Sequence, residues 1–161
     1  MKISRREFFL KSASAVALVS TSGFITTFIN SCTNNNNPAA PTNTISLATI
    51  QGSVANNEIT ISLDPTSPIA NKDTKALVLY NNNAGAIIVE HNPDDTYKAI
   101  SGICTHQGCI VSEFESDSND FVCPCHYSRF DLNGNVVQGP ASTNLAGYNT
   151  RVENNSLIIT L

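Results

Sequence analysis

The chain has 161 residues, which is long enough for one folded domain with a real core but short for two. Its 41% hydrophobic content is ordinary for a globular protein and argues against disorder throughout. The net charge is −4, and subtracting the +3 carried by residues 1–31 leaves −7 for the rest of the chain. Such an acidic body is a poor candidate for nucleic-acid binding, which needs clustered Lys and Arg.

Residues 1–31 have the organisation of an export signal. A basic start, SRREFFLK, precedes a moderately apolar stretch that is broken by Ser and Thr. We therefore expect residues 1–31 to be a removable signal peptide outside the fold. Arg5 and Arg6, framed as SRREF, resemble the bacterial twin-arginine signal, which implies export of the already folded protein.

Cys32 stands apart from the other four cysteines, directly after this signal. The run INSC resembles a bacterial lipobox, which implies lipid modification of Cys32, although Asn30 replaces the usual small residue. The Asn-rich residues 32–44 are predicted to be a flexible, lipid-anchored linker. Alternatively, residues 12–29 remain as an uncleaved anchor, at the lower limit of length for crossing a bilayer. In either case, we expect a protein tethered to the membrane.

From residue 45 onward, short β-branched and aliphatic runs alternate with turn signals. The runs are EITISL, ALVLY, AIIVEH, TYKAI, CIVSEF, DFVC, RFDL, NVV, TRVE and SLIITL. This spacing predicts an antiparallel all-β domain over residues 45–161, and no run has a sustained helical period. Asn133-Gly134 predicts a two-residue type I′ hairpin, and Asn154-Asn155 is a weaker version of the same signal.

Two short segments bring together residues that bind metals, Cys104-Thr-His106 and Cys123-Pro-Cys125-His126. One Cys and one His from each segment could hold either a tetrahedral zinc ion or an iron-sulfur cluster. Structural zinc sites usually pair like residues, whereas each segment here offers a mixed pair. Mixed pairs suit two metal ions in a row, with both thiolates on one and both imidazoles on the other. His91, beside Asn92-Pro93, lacks a motif partner and is predicted to be an ordinary surface or turn histidine.

The segments CTHQGC and CPCHYSRFD resemble the two cluster-binding loops of the Rieske iron-sulfur proteins, and the resemblance continues through GP at 139–140 and NL at 144–145. It implies an all-β, Rieske-type antiparallel β-sandwich with a small cluster-binding subdomain of two loops. It also implies one [2Fe-2S] cluster. Cys104 and Cys123 would bind the inner iron, and His106 and His126 the outer iron.

The resemblance also implies roles for residues beside these ligands. Cys109 and Cys125 stand where a subset of the family has a disulfide that joins the two loops, and an oxidising compartment would preserve it. Ser128 stands where high-potential members have a hydroxyl that donates to a bridging sulfide. Phe130 replaces a Tyr that donates to a ligand sulfur. With one donor missing, we expect a reduction potential below that of the respiratory-complex members.

The implied function is electron transfer, as a membrane-tethered subunit or partner of a respiratory oxidoreductase rather than a stand-alone enzyme. An alternative is the Rieske subunit of a bc-type quinol:cytochrome c oxidoreductase, from whose pattern Gln107, Tyr127 and Phe130 depart. The run YSRF after the second His is similar to the small subunit of arsenite oxidase. A third hypothesis is a zinc-stabilised binding module. The expected redox partner is a cytochrome b or c or an oxidase large subunit, on the periplasmic side of the membrane.

Overall fold

The computed structural model describes residues 40–41 and 43–161. The predictions for the signal peptide, for Arg5 and Arg6, and for Cys32 lie outside these residues. The described residues form thirteen β-strands and no helix, so the predicted all-β fold is confirmed. In this part of the chain, no helix has the length and apolar character needed to span a membrane.

The larger of two sheets has eight strands. They are β2 (Ala48–Gln51), β3 (Ser53–Ala55), β4 (Glu58–Ser62), β5 (Thr74–Tyr80), β6 (Gly85–His91), β7 (Tyr97–Ser101), β12 (Gly147–Glu153) and β13 (Ser156–Thr160). Their order in the sheet is β2-β5-β6-β7-β12-β13-β4-β3. Neighbouring strands are antiparallel except β2 and β5, which pair in parallel. Among the strands of residues 43–161, that pair is the one departure from the predicted antiparallel arrangement.

The two edges of this sheet approach each other at Gly52, which joins β2 to β3. Its N–H donates to the carbonyl of Leu79 in β5 at 2.9 Å. A Cβ at this position would lie 2.5 Å from the Ile59 side chain in β4 and 3.0 Å from that of Val78 in β5. Only glycine permits so close an approach, and the larger sheet is therefore nearly closed.

The smaller sheet carries the metal-binding motifs. Its five strands are β1 (Thr44–Ser46), β8 (Glu113–Glu115), β9 (Asp120–Val122), β10 (Arg129–Phe130) and β11 (Val136–Gln138). They follow the order β1-β8-β9-β10-β11. One motif lies between β7 and β8, and the other lies in the turn from β9 to β10. The fold therefore presents both motifs on connections that enter or lie within the smaller sheet.

Strand β6 lies inside the larger sheet and is covered on both faces, since all seven of its residues are buried. Ile88 belongs to the core that the two sheets share, whereas Ile87 and Val89 belong to a second core enclosed by the larger sheet. Burial on both sides explains why this strand is a continuous apolar run rather than an alternating one.

A group of charged side chains also joins the two sheets. Glu90 on β6 is only 8% exposed, and its carboxylate lies 3.1 Å from the ammonium of Lys75 and 3.6 Å from that of Lys98. The Lys75 ammonium lies 4.8 Å from the ring centre of Phe114 in the smaller sheet. Lys98 donates to the carbonyl of Leu132 at 3.3 Å. Two cations from the larger sheet thus contact the smaller sheet around one buried anion.

Of the two predicted hairpins, one agrees with the expectation and the other does not. Asn154 and Asn155 both have positive φ, so this weaker signal forms the type I′ turn. At the stronger signal only Gly134 has positive φ, and the predicted type I′ turn is wrong. The Asp131 carboxylate accepts hydrogen bonds from the backbone N–H groups of Asn133 and Asn135, at 2.8 and 2.9 Å. These bonds favour a longer turn with a bulge.

His91 is not an ordinary surface histidine, so that prediction is also wrong. His91 is the last residue of β6 and is only 5% exposed. Its ring stacks on that of Tyr97, with 4.3 Å between the ring centres. Its Nδ1 lies 2.9 Å from the Ile69 carbonyl oxygen, and its Nε2 lies 3.3 Å from Asp95. The ring connects β6 to the loop before β5, a contact that no local pattern reveals.

Candidate metal centre

The first motif folds as a tight loop over residues 104–109. The N–H of Cys104 donates to the carbonyl of Cys109 at 2.8 Å, and the N–H of Gly108 donates to the carbonyl of Cys104 at 2.9 Å. Gly108 takes the left-handed conformation that closes the loop, with φ of 75°. His106 therefore lies inside a loop whose two ends are joined by backbone hydrogen bonds.

The second motif has the same backbone pattern over residues 123–128. The N–H of Cys123 donates to the carbonyl of Ser128, and the N–H of Tyr127 donates to the carbonyl of Cys123, both at 2.9 Å. Tyr127 takes the place that Gly108 has in the first loop, with φ of 59°. The two loops are thus built alike, although one of them uses a bulky residue where the other uses glycine.

A disulfide connects the two loops, as the resemblance implied. Cys109 and Cys125 are bonded, with 6.5 Å between their Cα atoms. The sulfur of Cys123 lies within 4.8 Å of both disulfide sulfurs. Disulfide sulfurs are not thiolates, so Cys123 is the one member of this sulfur group that is free to bind a metal. The predicted disulfide is confirmed.

The two remaining cysteines of the loops are free thiols in an apolar environment. Cys104 is 3% exposed and Cys123 is 1% exposed, and both belong to the core shared by the two sheets. Burial raises the pKa of the Cys123 thiol, and its neighbour Cys104 raises it further. A bound metal reverses this preference, because a coordinating thiol is deprotonated outright. Two adjacent buried thiols are therefore suited to a metal centre and poorly suited to reactivity on their own.

The two histidines of the loops face each other. Their ring centres are 4.8 Å apart and their planes are nearly perpendicular, at 88°. The Nδ1 of His106 is buried and has no hydrogen-bond partner within the part of the chain that the structure describes. A buried ring nitrogen without a partner is explained if its lone pair binds a metal. Across the two loops, the structure thus pairs His106 with His126 and Cys104 with Cys123.

The two predicted tuning residues are both completely buried beside the second loop. Ser128 has 0% exposure, and its hydroxyl oxygen accepts the N–H of Ala141 at 3.0 Å. This leaves the hydroxyl hydrogen free to donate. Phe130, also with 0% exposure, packs in the same core as Cys104 and Cys123 and offers no donor. Ser128 therefore offers one hydrogen-bond donor and Phe130 none, and the effect of both on the cluster stays a prediction.

A third segment, residues 138–144, supports both loops, and sequence reasoning did not identify its contacts. The Thr105 hydroxyl in the first loop donates to the carbonyl of Thr143 at 2.5 Å. The side-chain amide of Gln138 donates to the carbonyl of Tyr127 in the second loop at 3.0 Å. The peptide between Gly139 and Pro140 is cis. The sequence signals for this segment were the GP pair at 139–140 and the NL pair that begins at Asn144, both within the family resemblance.

With this geometry established, the comparisons with known proteins identify the family. Residues 61–149, more than half of the chain, match the Rieske [2Fe-2S] domain. The chain belongs to this family. Its cofactor is one [2Fe-2S] cluster, and the two buried thiols and the orphaned His106 nitrogen fit such a group. Family membership decides between zinc and iron-sulfur, which the ligand inventory had left open.

The chain is similar to iron-sulfur subunits of cytochrome b6-f complexes. It is 44% identical to the subunit of Synechococcus sp. (strain WH7803) over 73 residues, which cover 45% of this chain and 40% of that protein. It is 36% identical to the subunit of Chlorobaculum thiosulfatiphilum over 87 residues, 54% of this chain and 46% of that protein. The match therefore spans less than half the length of these curated relatives.

Among solved structures, the chain is similar to the plasma membrane Rieske protein of the cyanobacterium Synechocystis PCC 6803. The identity is 27%, over 65% of this chain and 87% of that chain, with a TM-score of 0.43.

Proposed function

We propose that this protein transfers single electrons as a membrane-tethered subunit or partner of a respiratory oxidoreductase. Cys104 and Cys123 would hold one iron, and His106 and His126 would hold the other. When bound, the cluster supplies a one-electron carrier, with potentials of about −150 to +300 mV for the form with two His ligands. The chain itself binds this group, sets its electrostatic surroundings and gives a partner access to it.

The observation that carries the proposal is the unequal burial of the two kinds of ligand. The cysteines are 3% and 1% exposed and lie in the core, whereas the side chains of His106 and His126 are partly exposed. Gln107, at the tip of the first loop, is exposed. A partner would therefore approach the histidine side, and the apolar core would exclude water from the sulfur side.

The loops around the histidines also carry no formal charge. Residues 102–112, 123–128 and 138–147 contain no Asp, Glu, Lys or Arg. These segments therefore add no formal charge to the proposed docking end. An uncharged contact surface suits a partner recognised by shape and by neutral polar groups rather than by long-range attraction.

The test is metal analysis and spectroscopy of protein purified without oxygen. We expect two iron atoms and two labile sulfides per chain, and a rhombic electron paramagnetic resonance (EPR) signal after reduction. Cys104→Ser and His106→Ala should lose the signal. His91→Gln, which changes the third histidine of the chain, is the matched control and should retain it. Colourless wild-type protein that contains zinc in place of iron would contradict the proposal.

A second candidate is the Rieske subunit of a bc-type complex, and the relatives named as cytochrome b6-f subunits favour it. Three residues speak against it, since Gln107, Tyr127 and Phe130 replace the Leu, Gly and Tyr of that group. Purification of the intact membrane complex separates the two candidates. Co-purification with a cytochrome b and oxidation of quinol would support the bc-type assignment, whereas association with a molybdopterin oxidase subunit would support a role like that of the arsenite oxidase small subunit.

The proposed location is the periplasmic face of a membrane. Arg5 and Arg6 would direct export of the folded protein, residues 32–44 would form the tether, and residues 45–161 the folded domain. Cys32 would carry the lipid. Replacing both arginines with Lys should leave the protein in the cytoplasm. Cys32→Ala should abolish labelling by radioactive palmitate, and persistent labelling would exclude Cys32 as the modified residue.

A further inference from the structure

The second loop contains a backbone conformation that its amino acid does not favour. Tyr127 has φ of 59°, in the left-handed region, where side chains with a bulky Cβ substituent are strained. The equivalent residue of the first loop is Gly108, which adopts its φ of 75° without strain. Because the hydrogen-bond pattern of the two loops is the same, the second loop needs support that the first does not.

Gln138 provides a contact suited to this task. It ends β11, directly opposite Arg129 in the register of the two strands. Its side-chain Nε2 donates to the carbonyl of Tyr127, two residues before Arg129, at 3.0 Å. The N–H of Tyr127 is already bound to the carbonyl of Cys123 at 2.9 Å. The peptide groups on both sides of the strained residue are therefore fixed by hydrogen bonds.

We propose that Gln138 is a positioning residue for the cluster. Tyr127 lies between His126, a proposed ligand, and Ser128, a proposed hydrogen-bond donor. Relaxation of Tyr127 to negative φ would turn the peptide groups on both sides and so move both neighbours. The Gln138 amide opposes this relaxation. The inference rests on the proposed function, since it concerns residues that would hold and tune the cluster.

The test is a double-mutant cycle between Gln138 and Tyr127. Gln138→Leu removes the donor at similar side-chain size, and Gln138→Glu replaces the donor with an acceptor. Each should release iron to a chelator roughly fivefold faster than the wild type, which is the effect of one lost hydrogen bond. Each should also broaden the EPR signal, because the orientation of His126 becomes less uniform.

Tyr127→Gly removes the strain that Gln138 opposes. In this background, Gln138→Leu should change the rate of iron release by less than about twofold. Gln51→Leu is the matched control, because Gln51 is an exposed residue of β2 that donates to Asn83 at 3.4 Å. It should leave both the rate of iron release and the EPR signal unchanged.

The outcomes separate this inference from the proposed function. Wild-type protein without iron and sulfide would overturn the proposed function itself. If the wild type contains the cluster and the Gln138 variants match it in iron release and EPR line width, only the role of Gln138 is overturned. An effect of Gln138→Leu that is equally large with Tyr127 and with Gly at position 127 would also overturn it, because the Gln138 side chain would then contribute independently of the strain at residue 127.

Discussion

The hydroxyl oxygen of Ser128 accepts a hydrogen bond from the amide of Ala141 at 3.0 Å. This bond links the second loop to the third segment and fixes the orientation of the hydroxyl group. The acceptor side of the oxygen is occupied, so the hydrogen points elsewhere. Since Ser128 has 0% exposure, bulk water does not reach that hydrogen, and we expect a bound cluster to be its acceptor.

Ser128→Ala should lower the reduction potential. A hydrogen bond to a charged group contributes about 1.5 to 3 kcal/mol, and a one-electron potential shifts by about 59 mV per 1.4 kcal/mol. The expected fall is therefore about 60 to 130 mV in protein-film voltammetry. Ser142→Ala, a change at an exposed serine of the third segment, should leave the potential unchanged. A potential for Ser128→Ala equal to that of the wild type would exclude this donor role.

Phe130→Tyr should raise the reduction potential. The ring is fully buried in the core that contains Cys104 and Cys123, so an added hydroxyl has a ligand sulfur as its expected partner. Without that partner, the buried hydroxyl would cost about 1 to 3 kcal/mol of stability. Voltammetry and thermal unfolding of the same variant distinguish the two results. Phe121→Tyr, in the same core, is the control, and a potential that is unchanged or lower in Phe130→Tyr contradicts the prediction.

The centre could be predicted from the sequence because its chemistry is local. Each loop carries its Cys and His within four residues, and the order of residues alone distinguished mixed pairs from the like pairs of zinc sites. The disulfide followed from the same short motifs through the family resemblance. The all-β fold followed from alternating apolar runs and turn signals, which are also local.

The parts that the sequence did not predict depend on contacts between distant residues. Strands β1 to β3 are short and mostly exposed, so they carry little of the apolar pattern that marks a strand. His91 is buried by a loop some twenty residues away, and its neighbours in sequence gave a turn signal. The Asp131 side chain changed the turn type at Asn133-Gly134. In each case a tertiary or side-chain contact overrides the local propensity.

Loss of the disulfide should destabilise the cluster-binding loops. The bond closes a segment of 16 residues, and the chain-entropy model gives about 3 kcal/mol for a loop near that length. The double variant Cys109→Ser/Cys125→Ser should lose about that much free energy of unfolding and should release iron faster. Cys32→Ser changes a cysteine outside the disulfide and serves as the control. Melting and iron release identical to the wild type would show that the loops hold together without the bond.

An ion pair beside the second loop should make stability depend on pH in the acid range. Glu115 on β8 contacts Arg129 on β10, and Ser118 donates to the same carboxylate at 2.8 Å. The Ser118 hydroxyl first, and then Arg129, lower the pKa of Glu115 below its ordinary value of 4.5, although burial opposes them. The folded state therefore binds fewer protons than the unfolded state in the interval below 4.5.

The sign of the effect follows from this difference in proton binding. The stabilisation is fully present above the ordinary pKa of the carboxyl group and is lost as the pH falls through the lowered value in the folded state. Glu115→Gln should thus be less stable than the wild type near neutral pH, and the difference should shrink on acidification. Chemical unfolding at a series of pH values from about 7 down to about 3 measures it. Glu113→Gln, on the same strand, is the control. A difference in the free energy of unfolding between Glu115→Gln and the wild type that stays constant over that range would mean that Glu115 stabilises the loop by packing and not by its charge.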